Sequence, residues 1–155
     1  MPLQARYLSD YFRAFDRNVT RHQMAEPFAH IGQAADYFHA CWLREQARLS
    51  FIRIAVTPED ELLGSVEAHN LWGDTPKLGL WISAAHQGKG YGAEALCTLL
   101  DFLRGQGYVR FAYETDCANL PSVRLAQRLG GTVVRREEVR TESGKRLQLD
   151  LYEID

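Results

Sequence analysis

The sequence lacks the features of membrane, secreted and metal-binding chains. No apolar run approaches the ~18 residues of a bilayer-spanning helix, and no basic segment followed by an apolar one opens the chain. The three cysteines are widely spaced without a C-x-x-C pair, which fits a reducing compartment. The five histidines include no H-x-H or H-x-x-x-H pair. We therefore expect a cytoplasmic protein that binds neither a membrane nor a metal ion.

Excess positive charge is also missing. The chain carries 18 Lys and Arg against 20 Asp and Glu, a net charge of −2. A nucleic-acid groove needs a dense basic face, so we expect no nucleic-acid partner. The composition, with 46% hydrophobic and 25% charged residues, is typical of globular proteins. The length predicts a single domain over residues 1–155, because domains usually have roughly 100 to 200 residues.

The first half of the chain changes from helical to strand periodicity. Apolar residues from Leu8 to Phe15 recur at steps of three and four, which predicts one helix. The same spacing predicts a second helix from about Gln33 to Arg48, after a polar connector. Alternating segments at 51–56, 62–70 and 77–82, separated by turn residues, predict a three-strand antiparallel meander.

The second half predicts a helix at 91–104, a strand at 108–114 and a short helix at 122–129. Two closing strands follow at 132–139 and 146–154. We expect Val109, Phe111 and Tyr113 to share one face, and Leu147, Leu149 and Leu151 to face inward. Because a strand, a helix and a strand in succession form a parallel crossover, the predicted class is α+β, with one mixed, mostly antiparallel sheet.

Three alternate glycines lie between the third strand and the helix that follows it. Gly88, Gly90 and Gly92 have no Cβ atoms, so a ligand can approach their backbone closely. The first amides of the helix have no intrahelical acceptor, and the helix dipole adds positive potential there. These properties predict a phosphate-binding loop, with Lys89 adding charge at its edge.

Two nucleotide-binding motifs were compared with this loop. The mononucleotide P-loop requires Ser or Thr after its Gly-Lys pair, but Gly90 follows Gly88 and Lys89. The dinucleotide motif G-x-G-x-x-A is matched by Gly88, Gly90 and Ala93. The antiparallel meander before the loop disagrees with a dinucleotide-binding fold, but the motif keeps that alternative open.

The loop also resembles a different family. The segment Gln87-x-x-Gly90-x-Gly92 is similar to the [RQ]-x-x-G-x-[GA] loop of the GCN5-related N-acetyltransferases (GNAT), which binds the pyrophosphate of acetyl-CoA. Downstream, Thr115, Asp116, Asn119 and Ser122 resemble the T-D-x-x-N-x-x-S pattern of the ribosomal-protein N-terminal and spermidine acetyltransferase branch. The resemblance spans residues 50–139. It implies a GNAT fold and acetyl transfer from acetyl-CoA to a small-molecule amine or a peptide N-terminus.

The resemblance also implies where acetyl-CoA binds. The pantetheine arm would lie between strands that splay apart, and a bulge near Ile82 and Ser83 would free one N–H for the thioester oxygen. The implied cofactor-binding residues are Ile82, Gln87, Gly88, Lys89, Gly90, Tyr91, Gly92, Asn119 and Ser122. For Asn119 a turn or helix-cap role is an equal alternative, and for Ser122 a helix-cap role is.

An amine acceptor must lose a proton before it attacks, so a base is needed. Glu67 is the first candidate, because a carboxylate both attracts a cationic amine and accepts its proton; Glu114 is the second and His69 the third. Glu67 could equally be an ordinary surface glutamate. Ser122 is the candidate acid, and Phe28, Glu67, His69 and Glu114 are the candidate acceptor-binding residues.

The sequence departs from the family pattern at two places. The usual first strand is missing or reduced to residues 1–3, so a sheet edge could be short or completed by a partner subunit in a homodimer. Ala126 stands where family members often place a tyrosine that protonates the leaving thiolate. A non-catalytic acyl-CoA-binding module with the same fold is therefore the alternative to an enzyme.

Overall fold

A computed structural model describes all 155 residues. Its six strands form one mixed sheet in the order β1–β2–β3–β4–β6–β5, in which only the β3–β4 pair is parallel. The strands are β1 Ser50–Val56, β2 Leu62–His69, β3 Lys77–Ile82, β4 Phe111–Asp116, β5 Thr132–Arg140 and β6 Arg146–Ile154. The predicted mixed α+β class with a single parallel crossover is confirmed.

Five α-helices cover the two faces of the sheet. They are α1 Leu8–Ala14, α2 Arg17–Thr20, α3 Ile31–Gln46, α4 Tyr91–Gly105 and α5 Leu120–Arg128. Side chains of α1 and α3 pack on one face of β1 to β3, and those of α4 and α5 pack on the other. No helix is long and apolar enough to cross a bilayer.

The sequence missed α2, which lies inside the predicted polar connector. Asp16 caps this helix by accepting hydrogen bonds from the backbone N–H groups of Asn18 and Val19. A four-residue helix is too short to show a periodic apolar pattern. The sequence feature that could have predicted α2 is therefore the capping residue Asp16, and not an apolar period.

Strand β4 begins later than predicted. It starts at Phe111 rather than at residue 108, and Val109 is 76% exposed instead of facing the core. A strand needs a hydrogen-bonding partner, and the parallel ladder begins only where the Ala112 N–H donates to the carbonyl of Pro76. The Tyr108 hydroxyl instead donates to the carbonyl of Leu71.

The central strand β6 buries residues on both faces. Leu147 and Leu149 are buried as predicted, whereas Leu151 is only half-buried. Tyr152 and Ile154, which the prediction left out, belong to the core beneath α4 and α5. Because Asp150 and Tyr152 are covered on one face of β6 and Leu147 and Leu149 on the other, burial does not alternate simply along this strand.

At the outer edge of β1, the first strand is reduced to a single bridge between Pro2 and Arg53. The backbone N and O of Met1 both bond to Ile54, at 2.9 and 2.8 Å. This short pairing confirms the expected reduction to residues 1–3. The homodimer suggested by the shortened edge stays a prediction.

Candidate active site

The parallel strands β3 and β4 pair over two residues and then separate. Lys77 pairs with Ala112 and Leu78 with Tyr113, but neither the rest of β3 nor the rest of β4 has a partner across the gap. The Ser83 N–H donates to the Leu63 carbonyl on the far side of β3. Because bonding directions alternate along an antiparallel pair, the backbone groups of Leu80 and Ile82 face the β3–β4 gap. The gap therefore presents the N–H groups of Leu80 and Ile82 and the Leu80 carbonyl to an extended ligand, while the Ile82 carbonyl is bound by Gln87.

The bulge expected near Ile82 and Ser83 is absent. The register between β2 and β3 is continuous up to Gly64 opposite Ile82, and the irregularity lies one strand away, where Leu63 is an extra residue opposite β1. The expectation of a bulge in β3 was therefore wrong. The N–H groups of Leu80 and Ile82 face the gap without any bulge, because β3 and β4 pair only at Lys77 and Leu78.

The glycine loop lies at the open end of the gap. Gly88 and Gly90 have φ values of 74° and 86°, in the left-handed region that favours glycine. A Cβ atom added at either position would meet no atom within 4 Å, so the space beside the loop is open. Gly90 caps α4 without any side-chain bond, and the first intrahelical bond is from Glu94 N–H to the Gly90 carbonyl. The amides of the first turn are thus free to bind an anion.

Gly92 has a different role from the other two glycines. A Cβ there would lie 3.3 Å from Leu80 Cδ2 and 3.5 Å from Ile82 Cγ1, so its absence lets α4 lie against β3. Gln87 holds the loop from the other direction, because its Nε2 donates to the Ile82 carbonyl at 2.9 Å. Lys89 is exposed, and Tyr91 is half-buried with its ring edge-on to His86.

The remaining two cofactor candidates lie at the start of α5. Asn119 occupies the cap position of this helix, but its side chain makes no capping bond. Ser122 lies inside the first turn, and its Oγ is 2.7 Å from the Tyr113 hydroxyl. Ser122 lies within the helix and does not cap it, so the capping alternative is wrong for Ser122. Asn119 makes no side-chain cap, but its backbone N–H donates to the Asp116 carbonyl in a turn, as the turn alternative for Asn119 expects.

On the face covered by α1 and α3, which we call the acceptor face, Glu67 lies beside the closed end of the gap. It is paired in register with Gly79, the first β3 residue beyond the parallel pairing. A Cβ on Gly79 would lie 3.4 Å from Glu67 Cβ and 3.5 Å from its Oε2. The missing side chain thus leaves space between the carboxylate and the gap. The Glu67 side chain is 18% exposed and accepts from His69 Nε2 at 2.8 Å.

Glu114, the second candidate base, lies on the other side of the gap and is already paired. Its Oε1 is 2.9 Å from Lys77 Nζ, and its Oε2 is 3.8 Å from Arg135 Nη2. Two cations balance its charge, whereas Glu67 has only a histidine and the Tyr37 hydroxyl at 3.4 Å. Of the two carboxylates, Glu67 is better able to bind a cationic amine.

Phe28 packs into an aromatic cluster. Its ring centroid lies 5.5 Å from those of both Phe15 and Tyr37. Burial raises the pKa of the Tyr37 hydroxyl and of the Tyr11 hydroxyl in the same cluster, so both stay protonated. Phe28 packs against Tyr37, whose hydroxyl reaches Glu67. A direct contact between Phe28 and the acceptor stays a prediction.

Sequence reasoning did not find the pair formed by His22 and Asp116. Asp116 ends β4 on the acceptor face, its side chain is 7% exposed, and its Oδ2 lies 2.7 Å from His22 Nδ1. Asp116 belongs to the motif recognised in the sequence. His22 lies 94 residues earlier, and no local pattern links it to that strand.

Lys145 holds the loop that carries His22. Its Nζ donates to the carbonyls of Thr20, Gln23 and Ala25 at 2.9, 2.6 and 2.7 Å, and it lies 2.9 Å from Glu26 Oε1. Three carbonyls and a carboxylate thus surround one ammonium group. The loop over residues 20–26 is thereby fixed to the turn between β5 and β6.

No group of three or more His, Cys, Asp or Glu side chains comes close enough to hold a metal ion. The residues around the gap fit an acyl-CoA. Gly88 and Gly90 form a cradle that a Cβ would strain, the first turn of α4 has free amides, and unpaired backbone lines the β3–β4 gap.

Comparison with known proteins identifies the family. A family model described as an acetyltransferase (GNAT) domain matches residues 1–132, most of the chain. No curated protein matches the chain. The solved structures compared below share less than 25% identity with it, so these similarities concern the fold.

Three acetyltransferases of known structure have a fold similar to that of this chain. Spermidine N-acetyltransferase from Vibrio cholerae, in complex with CoA and spermine, has a TM-score of 0.86 at 15% identity, covering 99% of this chain and 92% of that one. The Salmonella typhimurium acetyl transferase that modifies the N-terminal serine of ribosomal protein L7/L12 has a TM-score of 0.86 at 13% identity, covering 100% and 93%. Salmonella typhimurium yncA with acetyl-CoA has a TM-score of 0.77 at 19% identity, covering 100% and 91%.

The family match covers the β3–β4 gap, the glycine loop and the Glu67 side of the gap. The solved structures also resemble this chain over β5 and β6, which lie beyond the residues that the family model matches. The chain belongs to the GNAT acetyltransferase family and is an N-acetyltransferase that uses acetyl-CoA.

Proposed function

We propose that this enzyme transfers the acetyl group of acetyl-CoA to a primary amine, either of a small molecule or of a peptide N-terminus. Both substrates are bound together, and the amine attacks the thioester directly. The observation that carries the proposal is the arrangement of three features in order: the glycine loop, the unpaired stretch of β3 beside β4, and Glu67 next to Gly79.

The cofactor-binding residues divide into two groups. The amides of Gly88 to Gly92 bind the pyrophosphate, with Lys89 adding positive charge and Gln87 holding the loop against β3. The backbone of Leu80 and Ile82 pairs with the pantetheine amides, while Asn119 contacts the arm from the opposite side. Acetyl-CoA itself supplies an activated acyl group.

Glu67 is the general base. Its carboxylate attracts the cationic amine and then removes one proton from the nitrogen. His69 orients this carboxylate through the bond between Nε2 and Oε2. The Ile82 or Leu80 N–H, which faces the gap, donates a hydrogen bond to the thioester oxygen as negative charge develops there.

The atoms balance as follows. The amine nitrogen forms a bond to the acyl carbon, the C–S bond breaks, and its electron pair leaves on sulphur. Glu67 takes the first proton of the cationic amine and later releases it to solvent, and the nitrogen loses its second proton to solvent as the amide forms. Ser122, in the first turn of α5, donates a hydrogen bond to the departing sulphur. The products are an amide and CoA.

The acceptor face favours a cationic acceptor. Glu67, Glu114 and Asp116 all lie on it, around the gap. Among the proteins of similar fold, one is a spermidine N-acetyltransferase and another modifies the N-terminal serine of a ribosomal protein. Spermidine and a peptide N-terminus both carry a cationic amine. The loop at 20–26 forms the wall of the acceptor site.

The test is release of free CoA thiol from acetyl-CoA in the presence of polyamines, simple amines and peptides with free N-termini. Wild-type enzyme should release thiol with at least one class. Gly90→Val should abolish acetyl-CoA binding in calorimetry, because valine strains a left-handed backbone position beside the anion.

Gly107→Val is the matched control. Gly107 also has a positive φ and open space around it, but it follows α4 at the opposite end from the loop. It should lose stability comparably and still bind acetyl-CoA. Unchanged affinity in folded Gly90→Val would contradict the phosphate-binding role of the loop.

The alternative function is a non-catalytic acyl-CoA-binding module, which Ala126 favours because it removes the hydroxyl expected on α5. Binding of acetyl-CoA without thiol release across the whole panel would support the module. The dinucleotide alternative suggested by Gly88, Gly90 and Ala93 is excluded by the family match and by the antiparallel β1–β2–β3 meander before the loop.

A further inference from the structure

Tyr113 lies at the point where β3 and β4 separate. It forms the last parallel pair, with Leu78, so its backbone marks the closed end of the gap. Its side chain is 4% exposed and packs in the core beneath α4 and α5. The hydroxyl makes a single hydrogen bond, to Ser122 Oγ at 2.7 Å.

Ala126 lies on α5, four residues after Ser122. The GNAT resemblance places a tyrosine at this position of the short helix, but Ala126 is fully buried in the same core cluster as Tyr113. The helix therefore supplies no hydroxyl from that position. The Tyr113 side chain reaches the helix from β4 instead, and its hydroxyl meets α5 in the first turn.

We propose that Tyr113 is the positioning residue for Ser122, and that together they stabilise the thiolate as it leaves. The Tyr113 O–H donates to Ser122 Oγ, which leaves the Ser122 hydroxyl hydrogen free to point at the sulphur. This inference rests on the proposed function, because it concerns the step in which the C–S bond breaks.

The direction of the hydrogen bond follows from the acidity of the two groups. A phenol is a stronger acid than an aliphatic alcohol, so it is the better donor of the pair. Burial raises the pKa of Tyr113, which keeps this hydroxyl protonated. Hydrogen bonds in a chain strengthen one another, so donation from Tyr113 makes Ser122 a better donor to an anion.

No proton need cross the chain during the reaction. The electron pair of the C–S bond leaves on sulphur, which accepts the Ser122 hydrogen bond and later takes a proton from solvent. Thiols are weak bases near neutral pH, so a stabilised thiolate is an adequate leaving group. Tyr113 and Ser122 end the step in the protonation states in which they began it.

The test uses Tyr113→Phe, Ser122→Ala and the double variant, with kcat expressed per acetyl-CoA-binding site measured by calorimetry. Tyr113→Phe should lower kcat by roughly tenfold or more and leave acetyl-CoA affinity unchanged, because the interaction forms as charge develops on sulphur. The double variant should be no slower than Ser122→Ala, since Tyr113 acts through Ser122.

Two further measurements separate this role from a structural one. With an acetyl thioester of a more acidic thiol, which leaves without help, the loss in Tyr113→Phe should largely disappear. Tyr152→Phe is the matched control, because Tyr152 is buried in the same core and its hydroxyl bonds to no other residue. It should keep wild-type kcat with both thioesters.

This inference would be overturned if Tyr113→Phe had the same kcat as the wild-type enzyme, or if its loss of kcat were equal for both leaving groups. In either case, turnover by the wild-type enzyme would still support the proposed function. An additive loss in the double variant would likewise overturn it. Absence of thiol release by wild-type enzyme with every acceptor would overturn the proposed function, and this inference with it.

Discussion

Glu67 and Glu114 lie on the same face of the sheet, on either side of the β3–β4 gap, but their surroundings differ. Glu114 contacts Lys77 and Arg135, whereas Glu67 contacts a histidine and a tyrosine hydroxyl. A carboxylate whose charge is already balanced gains less from a cationic amine. At the scale of single residues, this difference supports the proposal that Glu67 is the base.

Glu67→Gln should lower kcat by about 10²-fold, because the amide cannot accept the amine proton. Acetyl-CoA affinity should stay unchanged, since Glu67 lies away from the glycine loop. The measurement is thiol release across a pH series together with calorimetry.

Glu114→Gln is the control for this substitution, and it should mainly raise the acceptor KM. Equal kcat for wild type and Glu67→Gln across the pH series would remove Glu67 as the base.

Sequence reasoning at the residue scale found Glu67 but could not rank it securely. Its alternation with His69 identified a shared strand face, as confirmed by their hydrogen bond. The decisive neighbour is Gly79, which lies across the β2–β3 ladder. Register between strands is a tertiary property, so the empty space beside the carboxylate had no signal in the segment around Glu67.

At the scale of elements, the turn between β5 and β6 holds the loop at 20–26. Lys145→Met keeps the length of the side chain but cannot donate to three carbonyls. The acceptor KM should rise about tenfold or more, because displaced walls misplace a substrate. Acetyl-CoA affinity should not change, and protease cleavage within residues 20–26 should become faster.

Glu26→Gln provides the comparison for Lys145→Met. It removes the ion pair and keeps the three carbonyl bonds, so its effects should be smaller. An unchanged acceptor KM in Lys145→Met would show that this loop is not part of the acceptor site.

The β5–β6 hairpin contains a second charged pair, with a defined pH dependence. Asp150 is buried, and Arg136 donates from Nε and Nη2 to its two oxygens at 2.6 and 2.8 Å. This bonding lowers the pKa of Asp150. A carboxyl whose folded pKa is below its unfolded value of about 3.9 adds stability above that pH, which is lost as pH falls through the folded pKa.

Asp150→Asn should therefore be less stable than wild type at neutral pH, by a constant amount down to about pH 5. The difference should shrink as pH falls below about 4. Urea unfolding at a series of pH values measures it. A difference that stays constant down to pH 2 would mean that the charge of Asp150 does not contribute.

The elements themselves were largely predictable, because their signals are local. Apolar spacing located α4, and turn residues separated β1 from β2 and β2 from β3, with ends that differ from the structure by a few residues at most. The errors occur where a local signal is absent or misleading. Trp42 continues the apolar spacing of α3 but is 56% exposed, because nothing packs on that side of the helix.

For the whole molecule, the sheet consists of two halves that are joined by the short β3–β4 pairing and by the helices. Acetyl-CoA in the gap would bind both halves in the native state and neither in the unfolded chain. CoA at 100 times its Kd should therefore stabilise the fold by about 2.7 kcal/mol. That free energy corresponds to a rise of roughly 5–10 °C in Tm for a chain of this size.

A thermal-shift series with CoA and NAD measures this effect, and hydrogen exchange should show new protection at the Leu80 and Ile82 amides. Gly90→Val should remove the shift, and Gly107→Val should keep it. An equal shift in both variants would indicate that CoA binds away from the glycine loop.

The sequence by itself determined the order of the elements, the glycine loop before α4 and the family to which the chain belongs. Each of these depends on residues close together in the chain, through spacing, turn chemistry or backbone freedom at glycine. Only the tertiary structure decided which side chains meet. Three contacts show this: Gly79 lies beside Glu67, His22 bonds to Asp116, and Lys145 donates to the carbonyl of Thr20. The two residues of each contact are 12, 94 and 125 positions apart in the chain. Strand register and packing set these contacts, and no local sequence pattern encodes them.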